Sequence, residues 1–158
     1  MIFVTLGTQD KSFERLLKKL DELIDRRMIR SKVVVQAGST KYKSDNMEIL
    51  SFIDMNCFNA YIEKCDYMIT HAGVGTIING INHNKKVLAV ARRVEYGEHE
   101  NDHQVEITQK FADMGYIIGC INIDDLEEKI GLLDTFEVKQ YKSNNENFCK
   151  RIEALINE

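Results

Sequence analysis

Apolar residues in this chain come in two patterns: short unbroken runs, and longer stretches in which they recur at every third or fourth position. "MIFVTLG" at residues 1–7 is of the first kind and predicts a strand buried on both faces, ending at Gly7. "SFERLLKKLDELIDR" at residues 12–26 is of the second kind. It places Phe13, Leu16, Leu17, Leu20, Leu23 and Ile24 on one face of a helix, with Ser12 as N-cap. "KVVVQAG" predicts a second strand, rich in β-branched residues and stopped by Gly38. "MEILSFI" predicts a shorter third strand, followed by a helix through "CFNAYIEKC". "DYMIT" is a fourth strand, "GTIINGINHN" a helix and "KVLAVA" a fifth strand. "NDHQVEITQKFADMG" is a helix closing at Gly115, and "YIIGCI" is a sixth strand. "IDDLEEKIGLL" and "NENFCKRIEALINE" read as helices.

This alternation implies an α/β fold: a parallel sheet of about six strands with helices on both faces. Ligands on such sheets bind beyond the carboxyl ends of the strands, where the strand order reverses. The candidate loops are therefore residues 7–10, 38–43, 52–56, 71–76 and 92–104.

Length and composition narrow the reading. The 158 residues fit a single domain spanning 1–158. The formal net charge of -4 argues against nucleic acid as a partner, because phosphate backbones are held by basic patches. Cys57, Cys65, Cys120 and Cys149 form no C-x-x-C pair, so they read as small apolar residues in a reducing compartment. Met1 opens directly on an apolar strand without a basic leader, and no apolar run approaches the roughly 20 residues that span a bilayer. The expected place is the cytoplasm, unless a partner carries the chain to a membrane.

The loop chemistry starts at "HAGVGT", residues 71–76. Glycines let a backbone turn sharply and approach a ligand, and the free N–H groups of a helix's first turn favour an anion. A phosphate or diphosphate fits there, with the Thr76 hydroxyl beside it; a tight strand-to-helix turn with no ligand fits the spacing as well. Neither the Walker A spacing nor G-x-G-x-x-G is present, since Asn79 and Gly80 fall out of register. "TLGTQD" at residues 5–10 repeats the theme, with Thr8 and Gln9 offering donors after Gly7; alone it reads as a capped turn. Residues 95–106 carry Glu95, Glu98, Glu100, Asp102 and Glu106 with no Lys or Arg. Carboxylates repel phosphate but accept hydrogen bonds from sugar hydroxyls, and Asn101 and Gln104 both donate and accept. The segment suits the polyol end of a ligand, or an acidic helix start. His99 and His103 are four apart, but no third ligand is identifiable and no D-x-D triplet occurs, so no metal is expected.

With these residues in view, the chain resembles the C-terminal, donor-binding half of glycosyltransferase family 28, and within it the free-standing single-domain subunits. The resemblance rests on "MIFVTLGTQDKSFERLL", "FIDMNCFNAYIEKCDYMITHAGVGTII" and "EHENDHQVEI", in that order. It implies a Rossmann-like domain, the C-terminal half of a GT-B fold, binding a UDP-sugar without a metal. Gly73, Val74, Gly75 and Thr76 would take the diphosphate through backbone N–H groups, with His71 beside them. Gly7 and Thr8 would face the phosphates or the acceptor, and Phe52 and Ile53 the uracil. Asn101, Asp102, His103 and Gln104 would lie at the donor sugar. Many members carry a glutamate for the ribose hydroxyls where this chain has Asn79. An amide still pairs with a diol but loses charge assistance.

The function implied is the donor-binding subunit of a two-component inverting glycosyltransferase, moving a hexose from a UDP-sugar to a lipid-linked acceptor in polysaccharide synthesis such as capsule or exopolysaccharide. The fixed dipole of the helix after the glycine loop would stabilise the departing UDP, with Arg92 or Arg93 assisting or else standing as solvated surface charge. His99 and Glu98 are candidates for a general base supplied in cis; otherwise the base belongs to a membrane-associated acceptor-binding subunit, which would hold this chain at the inner face of the membrane. A homo-oligomer in isolation is compatible with this. Phe148, Cys149, Ile152, Leu155 and Ile156 form an apolar stripe that packs on the domain's own core or on that partner. The competing readings are a non-catalytic enhancer of a partner transferase and a flavodoxin-like module, the latter leaving the acidic loop without a role.

Overall fold

The computed structural model describes residues 1–139. Six strands form one sheet: β1 (Ile2–Thr5), β2 (Val33–Gln36), β3 (Glu48–Leu50), β4 (Tyr67–His71), β5 (Lys86–Val90) and β6 (Ile118–Cys120). Five α-helices alternate with them: α1 (Glu14–Asp25), α2 (Met55–Lys64), α3 (Val74–Asn82), α4 (His103–Asp113) and α5 (Leu126–Leu132). All pairings are parallel, in the order β3-β2-β1-β4-β5-β6. The predicted parallel α/β sheet is thus the observed one. The predicted helix through residues 145–158, with its apolar stripe, lies outside the described residues.

The unbroken apolar runs are explained by burial on both faces. Val4, Val35, Ile69, Leu88 and Val90 point to the side covered by α1 and α5. Phe3, Val34, Met68, Val87 and Ala89 point to the side covered by α2, α3 and α4. The period of two within each strand therefore feeds two cores, not a core and a solvent face.

One predicted cap is corrected. α1 begins at Glu14 with Phe13, not Ser12, at its N-cap, and no side chain of the cap residue bonds the first turn. Phe13 is fully buried, and its amide donates to the Thr40 hydroxyl at 3.0 Å. A hydroxyl 27 residues away in sequence thus satisfies the cap residue's own amide, in place of a local serine bonding the first turn. α2 follows the local rule instead: the Asp54 carboxylate accepts from the Cys57 amide at 2.9 Å.

The strand order reverses between β1 and β4. Thr5 stands beside Gln36 on one flank and Thr70 on the other, so the loops leaving β1 and β4 emerge next to each other. That is the topological switch point, where α/β sheets place their ligands.

Candidate functional site

β4 ends at His71, and α3 opens two residues after Ala72 with Gly73 as its N-cap. The two glycines nearest His71 are there for the imidazole. A Cβ on Gly73 would lie 2.2 Å from His71 Cε1, and one on Gly7 would lie 2.5 Å from His71 Nε2. Gly7 also has φ +78, a conformation that residues with a Cβ rarely adopt. Gly75 is different: a Cβ there meets nothing within 4 Å.

The first turn of α3 leaves donors unspent. The amides of Thr76 and Ile77 both donate to Gly73 O, at 3.1 and 3.0 Å. Among the described residues, no acceptor takes the amides of Gly73, Val74 or Gly75. Three N–H groups at the positive end of a helix, in a loop without side chains on its two glycines, form a site for an anion. Thr76 was expected to contribute a fourth amide, but its amide already closes the first helical turn; its hydroxyl is what it offers the cleft.

Two clefts flank this loop and meet at Gln9, His71 and Gly73. One, of about 510 Å³, has Gly7, Thr8, Phe52, Ile53, Gly75, Thr76 and Asn79 on its walls. Phe52 is 58% exposed, a flat apolar surface at the rim. The Asn79 carboxamide donates to Asn59 Oδ1 at 3.3 Å and keeps its own oxygen free. The other cleft, of about 410 Å³, is bounded by Val74, Asn101, His103 and Gln104 and floored by Ile107 and Phe111 of α4. The fold thus brings together two groups of predicted residues that lie far apart in the chain, on either side of one glycine loop.

Several predicted roles change with the geometry. Asp102 lines neither cleft; its carboxylate accepts from the Val94 amide at 3.2 Å and lies 3.7 Å from Arg93 Nε. Glu98 is 3% exposed and is held by Arg15 through two 2.8 Å bonds, with the Arg93 amide at 3.0 Å. A buried, ion-paired carboxylate on the wall of neither cleft is poorly placed to meet an acceptor hydroxyl, and Glu98 is set aside as a base. Arg92 is neither surface charge nor a phosphate ligand. It is 1% exposed, its guanidinium donates to the carbonyls of Leu6 (2.7 Å), Lys11 (2.8 Å) and Glu98 (3.1 Å), and it lies over the Phe13 ring. Burial pulls its pKa down to about 10. Gln104 is 4% exposed, and its carboxamide oxygen accepts from the amides of Ala72 and Arg92, both at 3.1 Å. Its oxygen is thus committed to the backbone, while the residue itself lines the smaller cleft.

His71 is the titratable group at the centre. It is 8% exposed; Nδ1 lies 3.3 Å from Gln104 Nε2, and Nε2 is buried without a protein partner. Burial above all, then the charge of Arg92 and then His99, pulls its pKa down to about 4, so the ring is neutral at neutral pH. His99 stands at the mouth, with Nε2 3.1 Å from Gln9 Nε2, and the Lys11–Glu100 ion pair (2.6 Å) ties the same two loops together nearby.

Gln36 was missed by the sequence reading. It closes β2, accepts from the Thr5 hydroxyl at 2.6 Å, and donates to Gly7 O at 3.2 Å and Ser51 O at 3.3 Å. It thereby fixes both loops that wall the larger cleft. The available signal was a lone amide ending an otherwise apolar "VVVQ".

Comparison with known proteins follows the same lines. The glycosyltransferase family 28 C-terminal domain matches residues 1–158. The chain is 32% identical over 125 residues to the UDP-N-acetylglucosamine transferase subunit ALG13 of Candida albicans, a match covering 76% of this chain and 37% of that protein. The chain therefore spans well under half of that relative. The solution structure of ALG13 superposes with a TM-score of 0.60 at 19% identity, covering 96% of this chain and 93% of that one. The crystal structure of the glycosyltransferase SnogD from Streptomyces nogalater gives 0.58 at 18% identity, covering 99% of this chain and 39% of that one. These two likenesses show the fold, a Rossmann-like half of a GT-B architecture.

Proposed function

The chain belongs to the glycosyltransferase family 28 C-terminal domain family, and from that premise we propose that it is the donor-binding subunit of a two-component inverting glycosyltransferase that moves a hexose from a UDP-sugar to a lipid-linked acceptor in glycan or polysaccharide synthesis. The observation that carries this reading is the set of unspent amides on Gly73, Val74 and Gly75, placed between two clefts. The uridine would lie in the larger cleft, its base on Phe52 and Ile53 and its ribose toward the Asn79 carboxamide oxygen. The diphosphate would cross the glycine loop. The hexose would enter the smaller cleft, where Asn101 and His103 meet it over Ile107 and Phe111.

The chemistry this chain supplies is leaving-group stabilisation. As the anomeric bond breaks, negative charge grows on the UDP oxygens; fixed N–H dipoles at the start of α3 meet it without reorganising. Among the described residues, Glu98 is set aside as the base and His99 is engaged with Gln9. The base and the acceptor site are therefore assigned to a membrane-associated partner, which would hold this chain at the cytoplasmic face. No helix among the described residues is long and apolar enough to cross a membrane. The name of the Candida albicans relative makes N-acetylglucosamine the first sugar to try.

The enhancer reading, in which the chain supports a partner transferase without binding donor, has one observation in its favour: a neutral amide at Asn79, one N–H of which goes to Asn59, offers a ribose no charge-assisted bond. Calorimetric titration with UDP, UDP-N-acetylglucosamine and other UDP-hexoses separates the two. Micromolar binding that Gly75→Trp abolishes and Lys18→Ala leaves intact is expected. Absence of binding both to this chain and to its complex with the partner supports the enhancer.

A further inference from the structure

Among the described residues, no Asp or Glu lines the larger cleft. That absence bears on the part of a nucleotide that follows its phosphates. Gly75 and Asn79 stand one turn apart on the same face of α3, about 6 Å along its axis. No side chain at Gly75 fills the lane between them, and a Cβ there would meet nothing within 4 Å. A nucleotide with its diphosphate on the amides of Gly73, Val74 and Gly75 therefore brings its pentose alongside Asn79. From α2, the same cleft is walled by apolar Met55 and Phe58.

What Asn79 offers a pentose is limited by its neighbour. Its carboxamide donates to Asn59 Oδ1 at 3.3 Å. One end of the amide is tied to α2, and one neutral end is left for the cleft. Turning both amides over exchanges donor and acceptor and leaves that count unchanged. A ribose presents two adjacent hydroxyls, and one neutral group pairs with one of them. Asn79 is also only half-buried, so water takes the place of a hydroxyl that is missing. A site rejects an analogue lacking a hydroxyl when the loss strands a buried polar group or removes a charge-assisted bond. Neither condition holds at Asn79.

We propose that this site does not select ribose over 2′-deoxyribose: Asn79, held by Asn59, sets the donor class as nucleoside diphosphate sugars of either pentose. The proposal rests on the nucleotide-binding reading above and widens the set of donors within it. The amides of the glycine loop see the same diphosphate in both cases, so recognition of the phosphates is indifferent to the pentose.

Titration calorimetry of the full chain with UDP and 2′-deoxyuridine diphosphate tests this. The two ligands share base and diphosphate, so the ratio of their affinities isolates one hydroxyl. UDP should bind no more than about fivefold tighter, as for one neutral hydrogen bond that water replaces. A larger preference for UDP overturns the proposal and leaves the nucleotide site in place. Binding of neither ligand, to the chain or to its complex with the partner, brings down the nucleotide reading and this inference with it. Asn79→Glu supplies the missing charge. It should weaken both ligands by repelling the diphosphate, yet raise the preference for UDP about tenfold over that of the parent. An unchanged ratio in a variant that still melts cooperatively overturns the placement of the pentose beside Asn79. If Asn79→Glu does not fold, the ratio measured on the parent decides alone.

Discussion

Gly75 separates folding from ligand binding more cleanly than any other position in the loop. It is the second residue of α3, it is absent from the positive-φ glycines, and a Cβ there meets nothing within 4 Å. Gly75→Ala therefore adds helix propensity at no steric cost, about 0.5–1 kcal/mol of stability. For a chain of 158 residues that corresponds to a rise in Tm of about 1–4 °C. Gly75→Trp points an indole into the cleft of about 510 Å³, in the space assigned to the pyrophosphate and ribose. UDP affinity should fall by about 100-fold or more, equivalent to about 2.8 kcal/mol. Melting followed by circular dichroism reads the first effect and titration calorimetry the second, on the same preparations. The reasoning is refuted if Gly75→Trp still melts cooperatively and binds UDP as the parent does, because the nucleotide would then lie elsewhere. It is refuted in a different way if Gly75→Ala melts lower, because the backbone there would not be an open helical turn.

Acid should unfold the protein partly through His71. Its folded pKa of about 4 lies below the ordinary 6.5, so between those values the unfolded chain binds the proton and the folded one does not. That contribution is complete above about pH 6.5 and is lost as pH falls toward about 4, up to about 3 kcal/mol; urea midpoints at pH 7 and pH 5 should differ by less in His71→Gln, and an unchanged difference refutes the assignment. Glu98→Ala strips the carboxylate from Arg15 and from the Arg93 amide and should lower stability by about 3–5 kcal/mol in urea unfolding; a loss under about 1 kcal/mol, the range of exposed pairs, would mean the pair is effectively solvated. Gly80→Ala should destabilise despite its better helix propensity, because its Cβ would lie 2.7 Å from Val87 Cγ2 and 2.8 Å from Met68 Sδ, an overpacking of about 1–3 kcal/mol; a higher Tm would show that α3 has room to lift from the sheet.

The central strands were legible because burial on both faces leaves an unbroken apolar run, as in "VVV" at the start of β2, whereas the edge strand β3 is exposed or half-buried. The position of the site followed from the same pattern, since alternating elements force a parallel sheet and a parallel sheet places its loops at one edge. What was not legible was the partner of each polar group. Arg92 was read as a helper of the leaving group or as surface charge, and Glu98 as a candidate base, because a sequence displays formal charge but not the carbonyls and amides that a fold assembles around it. Phe13 replaced Ser12 at the helix cap for the same reason: its donor is satisfied by Thr40, which no local rule reaches. Gln104 was read only by its place in a polar loop, and the two amides that its oxygen accepts from, those of Ala72 and Arg92, lie on other segments. Gly73 was read as space for a ligand, and half of its meaning is space for His71.

The Arg92 side chain has a mechanical consequence. By bonding Leu6, Lys11 and Glu98 at once, it rivets the segment after the first strand to the segment after the fifth from beneath. Those two walls cannot swing independently without stranding a cation in the interior. Any clamping around a substrate would therefore have to move these two walls together, as one rigid anvil.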